Sequence, residues 1–340
     1  MPRISDLHPR WQRESDELNA LMPWARARLD ALFPPVPDVP RRHPFDSEVH
    51  DRVLNVGLFN GTTHHELAAL ECGRGVRLCA PDGDPGLWLP LAMLFAFVTA
   101  ADDGVAEQGY PLHEVGLTAD RILRRQHGPR EDHSATARCL TVVREEMERL
   151  DATGCLPVVA DEVAASLRSM ALQQRYLRED RLPGPSAYLA LRQAGNSIGP
   201  MIALHQWVTG GPVDRGPAGL LLRDTASLVS LISGLDNDIL GAPKDLACAN
   251  RFDLCNYVFV LAAHHEIPLT AALRSAVTVV EAYAYRLATL VGGVERAEPV
   301  LSPLRRQMRA TVGWTAGTHV FFRTAGRYTK AEALHGAQSL

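Results

Sequence analysis

Leu221-Leu-Arg-Asp-Thr-Ala-Ser-Leu-Val-Ser-Leu-Ile-Ser-Gly-Leu235 decides the fold class. Within it Leu221, Thr225, Leu228, Leu231, Ile232 and Leu235 recur at steps of three and four, the period of one helical face. The same spacing returns through most of the 340 residues, and few segments alternate as strands do. Proline clusters at Pro34 to Pro44, at Leu182-Pro-Gly-Pro185 and at Gly210-Gly-Pro212 separate long periodic segments. The spacing predicts helices at roughly 10–32, 48–70, 85–103, 112–126, 134–151, 157–178, 186–209, 216–240, 252–265, 268–291 and 299–325. With no strand component and no second compositional regime, this is an all-α chain, a single-domain bundle of about ten or more helices. The stretch Pro34 to Pro44 is too stiff and polar to be helical, and is expected to cross the surface as a strap.

Composition narrows the partners. A hydrophobic fraction of 46% suits a large buried core, and a formal charge of −4 lacks the basic excess of a nucleic-acid surface. Even the apolar stretch from Leu87 to Ala101 ends at two aspartates, so no stable membrane association is expected. The six cysteines are scattered without C-x-x-C spacing, and Met1 to Arg13 lacks the apolar run of a secretory signal. Reduced thiols and a cytoplasmic location are expected.

The run Leu91-Ala-Met-Leu-Phe-Ala-Phe-Val-Thr-Ala-Ala-Asp-Asp-Gly-Val-Ala-Glu107 drives a nearly uncharged helix into Asp102 and Asp103. Asp103 and Glu107, four apart, share a face. Anions at a helix C-terminus oppose the macrodipole, and a bound cation relieves that conflict. Two aspartates merely ending a core helix at Gly104 give the same pattern. A second apolar helix runs into Asp236-Asn-Asp-Ile-Leu-Gly-Ala-Pro-Lys-Asp245, where Asn237, Gly241 and Asp245 fall at i, i+4 and i+8. Asn237 and Asp245 offer oxygen to one hard cation, although a solvated helix end has this composition too.

Together the two patches resemble the bacterial class I terpene synthases. That family faces D-D-x-x-x-[DE] with N-D-x-x-S-x-x-[KR]-E across a central apolar cavity. The first motif matches at Asp102, Asp103 and Glu107, the second at Asn237, Asp238, Lys244 and Asp245. Arg192 stands where the family carries a diphosphate-sensing arginine, Asn196 at its coupling position, and Arg327-Tyr328 as its C-terminal pair. The resemblance covers residues 50 to 330, roughly a 46–330 catalytic domain between a 1–45 N-terminal segment and a 331–340 tail.

The resemblance implies an enzyme that ionises a farnesyl or geranylgeranyl diphosphate and cyclises the cation to a terpene hydrocarbon or alcohol. It implies three Mg²⁺ ions held by Asp102, Asp103, Glu107, Asn237 and Asp245. Arg192, Lys244, Arg327 and Tyr328 bind diphosphate, with Arg192, Asn196 and Tyr328 in catalytic roles. Phe95, Val98, Thr99, Trp314 and Phe321 line the pocket, with Phe97 a further aromatic. Homodimer formation follows by analogy only. A chain-elongating prenyltransferase or a decayed helical binding protein are the rival readings. The sequence departs from the pattern at Gly241, which stands for the family's serine, at the shortened acid Asp245, and at Pro243, expected to kink the helix and bring that acid into reach.

Overall fold

The computed structural model describes residues 3–37, 39–40, 43–58, 63–81, 85–102, 112–125, 134–212, 216–247, 254–296 and 302–325. Among them every regular element is a helix. In chain order these are α1 (Ile4–Arg13), α2 (Ser15–Asp30), α3 (Pro44–Val56), α4 (Thr63–Cys79), α5 (Pro85–Ala100), α6 (Leu112–Arg124) and α7 (Ala135–Arg149). A short 3₁₀ turn (Thr153–Cys155) leads to α8 (Leu156–Arg178), α9 (Pro185–Gly195), α10 (Gly199–Gly210), α11 (Pro217–Ala247), α12 (Tyr257–His265), α13 (Leu269–Arg296) and α14 (Ser302–Thr324).

Several boundaries differ from the periodicity, each for a local reason. The expected 10–32 helix is two, because Glu14 leaves helical geometry to work elsewhere. Its carboxylate accepts from the Leu269 N–H at 2.7 Å and so caps α13, far away in sequence. The expected 48–70 helix ends at Val56, where Gly57 turns left-handed at φ 71°, and α4 begins afresh at Thr63. The strap is shorter than predicted, since Pro44 sits in the first turn of α3, where its missing N–H costs nothing. Val36 and Val39 of the strap pack against Leu78, Phe321 and Ala325. The expected 186–209 helix breaks between Gly195 and Gly199, and α11 carries on past Pro243 to Ala247.

Helix α11 is the central strut. It packs on α14, α13, α9, α2 and α12. Such burial explains why its composition alone would suffice to cross a membrane: 61% of its most apolar window is inside the protein. Neighbouring contacts run α5–α4, α4–α14, α14–α11 and α11–α9, then α9–α8, α8–α10 and back to α5. That closed ring leaves a central cavity. The α4–α14 crossing is backbone to backbone at Gly317, where an added Cβ would stand 2.5 Å from the Cys79 Cα. Only glycine permits this approach, which sets Phe321 edge-on to Phe95 at 5.4 Å.

Candidate active site

The cavity takes its wall from α4, the end of α5, the α9–α10 break, the middle of α11, and α14. The space between the atoms, open mouth included, is about 900 Å³, within the size range of ligand pockets. Phe95, Val98, Thr99, Trp314 and Phe321 all line it, together with Val76, Cys79, Ile198 and Phe322. Phe97 does not; it is 1% exposed in the core, because its side chain leaves α5 on the opposite side. The Cys79 thiol is a neutral wall group, its pKa pushed up by burial.

Asp102 and Asn237 open onto this one cavity. Helix α5 ends at Ala100, and Ala101 and Asp102 continue in a wider π-type turn that leaves Asp102 exposed. Asn237 sits half-buried on α11, one turn after Ser233. Asp103 and Glu107 lie outside the described residues, as do Arg327 and Tyr328.

Arg192 docks α9 on the second motif helix, α11. Its Nη2 donates to Asn237 Oδ1 at 2.8 Å and lies 2.8 Å from Asp238 Oδ1, while Nε donates to the Gly234 carbonyl at 3.2 Å. Burial would lower the Arg192 pKa, but Asp238, Tyr188, Asp102 and Asp245 raise it, so the guanidinium stays charged. Burial pushes Asp238 up to about 6, against the pull of Arg192 and the Tyr188 hydroxyl, which donates to Asp238 Oδ2 at 2.7 Å. Asp238 was matched in the motif but given no role, and Tyr188 was missed altogether. Their pairing joins two facing helices, α9 and α11, across 50 positions of sequence, so no local pattern shows it.

The break after Arg192 is built by its surroundings. Ser166 and Ser169 of α8 donate to the Ala194 and Leu191 carbonyls at 2.9 and 2.5 Å, satisfying the end of α9. Ser197 turns left-handed at φ 63°. Asn196 Nδ2 donates to the Ser230 carbonyl, which docks the break on α11. A Cβ at Gly195 would meet Ser169 Oγ and Gln173 Nε2 at 2.8 Å, so a larger residue would push these side chains aside.

Lys244 and Asp245 do not line the cavity wall. Lys244 Nζ is 3.2 Å from Asp245 Oδ1, and Asn256 Nδ2 donates to Asp245 Oδ2 at 2.9 Å and to the Asp238 carbonyl at 2.7 Å. A Cβ at Gly241 would stand 3.3 Å from Asp245 Oδ2. The acid therefore leans into the room that the absent serine side chain leaves free, and the two departures belong together. Asn256, which also caps α12, is a residue the motif comparison could not supply.

Two further groups were not foreseen. His205 accepts from Trp314 Nε1 at 3.0 Å and so orients a cavity-lining ring. His319 is held between Asp236 at 3.1 Å and Asp30 at 2.9 Å, which ties the end of α2 to α14 and α11. Side chains on three distant segments make this bracket, so no local pattern signals it. His264 and His265 are exposed neighbours with perpendicular rings.

The described donors suit a hard cation. Asp102 and Asn237 supply oxygen, with Asp245 close enough to influence Arg192. Among the described residues no three His, Cys, Asp or Glu side chains are placed to hold a metal ion by themselves. Mg²⁺ takes one or two protein oxygens and completes its shell with water and phosphate, which this donor set allows.

A family model described as terpene synthase family 2, C-terminal metal binding, matches residues 93–284. The chain belongs to that family. This terpene synthase relative has no match among curated protein sequences. Its fold is shared with 2-methylisoborneol synthase from Streptomyces coelicolor A3(2), solved with Mg²⁺ and geranyl-S-thiolodiphosphate: 20% identity, TM-score 0.71, covering 85% of this chain and 94% of that one. Linalool/nerolidol synthase from Streptomyces clavuligerus, with 2-fluorogeranyl diphosphate, gives 16% identity and a TM-score of 0.68 over 83% and 99% of the two chains. At these identities the likeness establishes the class I terpene synthase fold. The all-α bundle expected from the sequence is the one observed.

Proposed function

We propose that this terpene synthase ionises an acyclic prenyl diphosphate, farnesyl or geranylgeranyl, and cyclises the allylic cation to a terpene, releasing diphosphate as a carbon–oxygen lyase. One observation carries the reading: Asp102 and Asn237, from helices far apart in sequence, face one largely apolar cavity with the charged Arg192 bonded beside them. The two relatives solved with prenyl diphosphate analogues support a prenyl diphosphate as the ligand class.

Three Mg²⁺ ions are proposed, held by Asp102, Asn237 and Asp245 together with Asp103 and Glu107, and they would neutralise the departing diphosphate. The chain's own part begins with Arg192, which is fixed by Asn237, Asp238 and Gly234 before substrate arrives, so its charge needs no reorganisation during ionisation. Lys244, Arg327 and Tyr328 are assigned to the same anion, and Asn196 couples it to α11. The apolar wall keeps bulk water from the cation. Each of Phe95, Trp314 and Phe321 offers an aromatic face worth about 0.5–2 kcal/mol to a positive centre.

The test offers C10, C15 and C20 diphosphates separately with Mg²⁺ and follows products by gas chromatography. Asp102→Ala and Asn237→Ala should each cut turnover by about 10²–10³, and chelation of Mg²⁺ should abolish it. A longer diphosphate formed from dimethylallyl and isopentenyl diphosphates would install chain elongation instead. Turnover indifferent to Asp102→Ala would remove the proposed site.

A further inference from the structure

The cavity wall contains a pair of hydroxyls that ionisation does not use. Ser233 of α11 and Thr318 of α14 both line it, 1% and 4% exposed. Their oxygens are 3.0 Å apart, and Thr318 Oγ1 is 2.7 Å from the Trp314 carbonyl. A carbonyl only accepts, so the Thr318 proton goes to it; the Ser233 hydroxyl then donates to Thr318 Oγ1. This leaves the lone pairs of Ser233 as the acceptor at the end of a fixed chain. Two apolar side chains of similar size would hold α11 to α14 as well, because removing both partners of a buried hydrogen bond is nearly neutral. The wall nevertheless carries hydroxyls.

Ser233 precedes Asn237 by four residues and shares its face of α11, about 6 Å away along the helix. The pair thus stands one turn from the place proposed for diphosphate, beside the allylic end of a bound substrate.

We infer that the Ser233–Thr318 pair seats the water that ends the reaction, making the product a terpene alcohol. This deepens the reading above and rests on it. A water donating one proton to Ser233 Oγ is held with a lone pair free for the cation. That lone pair forms the C–O bond, and the second water proton leaves to an oxygen of the released diphosphate. The balance is carbocation plus water plus diphosphate to alcohol plus protonated diphosphate, with no oxidant or reductant.

The experiment runs the full-length enzyme with Mg²⁺ and its active prenyl diphosphate in ¹⁸O-labelled water, with gas chromatography–mass spectrometry of products and a separate assay of diphosphate release. The wild type should release an alcohol carrying one labelled oxygen. In the Ser233→Ala/Thr318→Val double variant the alcohol-to-hydrocarbon ratio should fall about tenfold, the effect of one lost hydrogen bond. Diphosphate release should stay within about threefold, since ionisation precedes the quench. Ser233→Thr should restore the ratio, and Ser233→Ala alone decides the matter if the double variant melts early. An unlabelled hydrocarbon as the sole wild-type product overturns this inference and spares the reading above. So does a variant that keeps labelled alcohol in full proportion, or one whose alcohol and diphosphate release decline together. No diphosphate release from any prenyl diphosphate overturns both.

Discussion

Gly234 lies on α11 directly beneath Arg192, which makes Gly234→Ala a sharp probe of how the site is held. A methyl there would stand 3.0 Å from Arg192 Cγ, 3.2 Å from Nε and 3.2 Å from Asn196 Cβ. Ordinary carbon contacts sit near 3.5–4.0 Å, so both neighbours must retreat by roughly 0.5 Å. Overpacking of this kind costs about 1–3 kcal/mol, while alanine regains about 1 kcal/mol of helix propensity. The fold should therefore lose at most about 2 kcal/mol. Function should suffer more. Retreat of Arg192 stretches its 3.2 Å bond to the Gly234 carbonyl and loosens its grip on Asn237. Misplacement of a charged group by up to 1 Å costs about 10²-fold, so turnover should drop by roughly 10–100-fold. Thermal melting and steady-state diphosphate release on the same preparation separate the two effects. Wild-type turnover in a folded variant would show that Arg192 is not positioned by this contact.

Three other outcomes follow from buried polar groups. His205 is held neutral, its pKa pushed down to about 4 by burial, below its ordinary 6.5. The unfolded chain takes up a proton near pH 6.5 that the folded one refuses until about 4, so stability falls as pH drops through that window, by about 3 kcal/mol at the acid end. Urea midpoints at pH 7 and pH 4 for the wild type and His205→Gln measure this, and the variant should be the less acid-sensitive of the two. His319 behaves oppositely: burial works against its charged form, but Asp236 and Asp30 outweigh it and raise its pKa. Its contribution is complete below pH 6.5 and is lost as pH rises through the raised folded value, so His319→Asn should flatten the alkaline side of the stability profile. Tyr188→Phe removes the 2.7 Å bond to Asp238 and should cost about 1.5–3 kcal/mol in denaturant titration. A neutral result there would mean that Arg192 and the Tyr257 N–H satisfy the carboxylate without it.

Sequence carried the fold class and the family because both are written locally. The three-and-four spacing of Leu221 to Leu235 fixes a helix wherever it sits, and the paired oxygen donors mark their helix ends regardless of what faces them. Helix ends were less legible. Glu14 breaks a periodic run because it caps α13, and the α9–α10 break depends on serines from α8. Such partners lie tens to hundreds of residues away, beyond any window of periodicity.

By itself, then, the order of residues determined an all-helical chain with two oxygen-rich patches and an arginine between them. Only the tertiary structure decided that the patches share a cavity, that Phe97 belongs to the core while Phe95 faces inward, and that Asp245 occupies the room Gly241 vacates. Periodicity assigns a side chain to a face of its own helix. Which neighbour that face meets depends on helix crossings, and these are set by close approaches such as Gly317 on Cys79 that join segments distant in the chain.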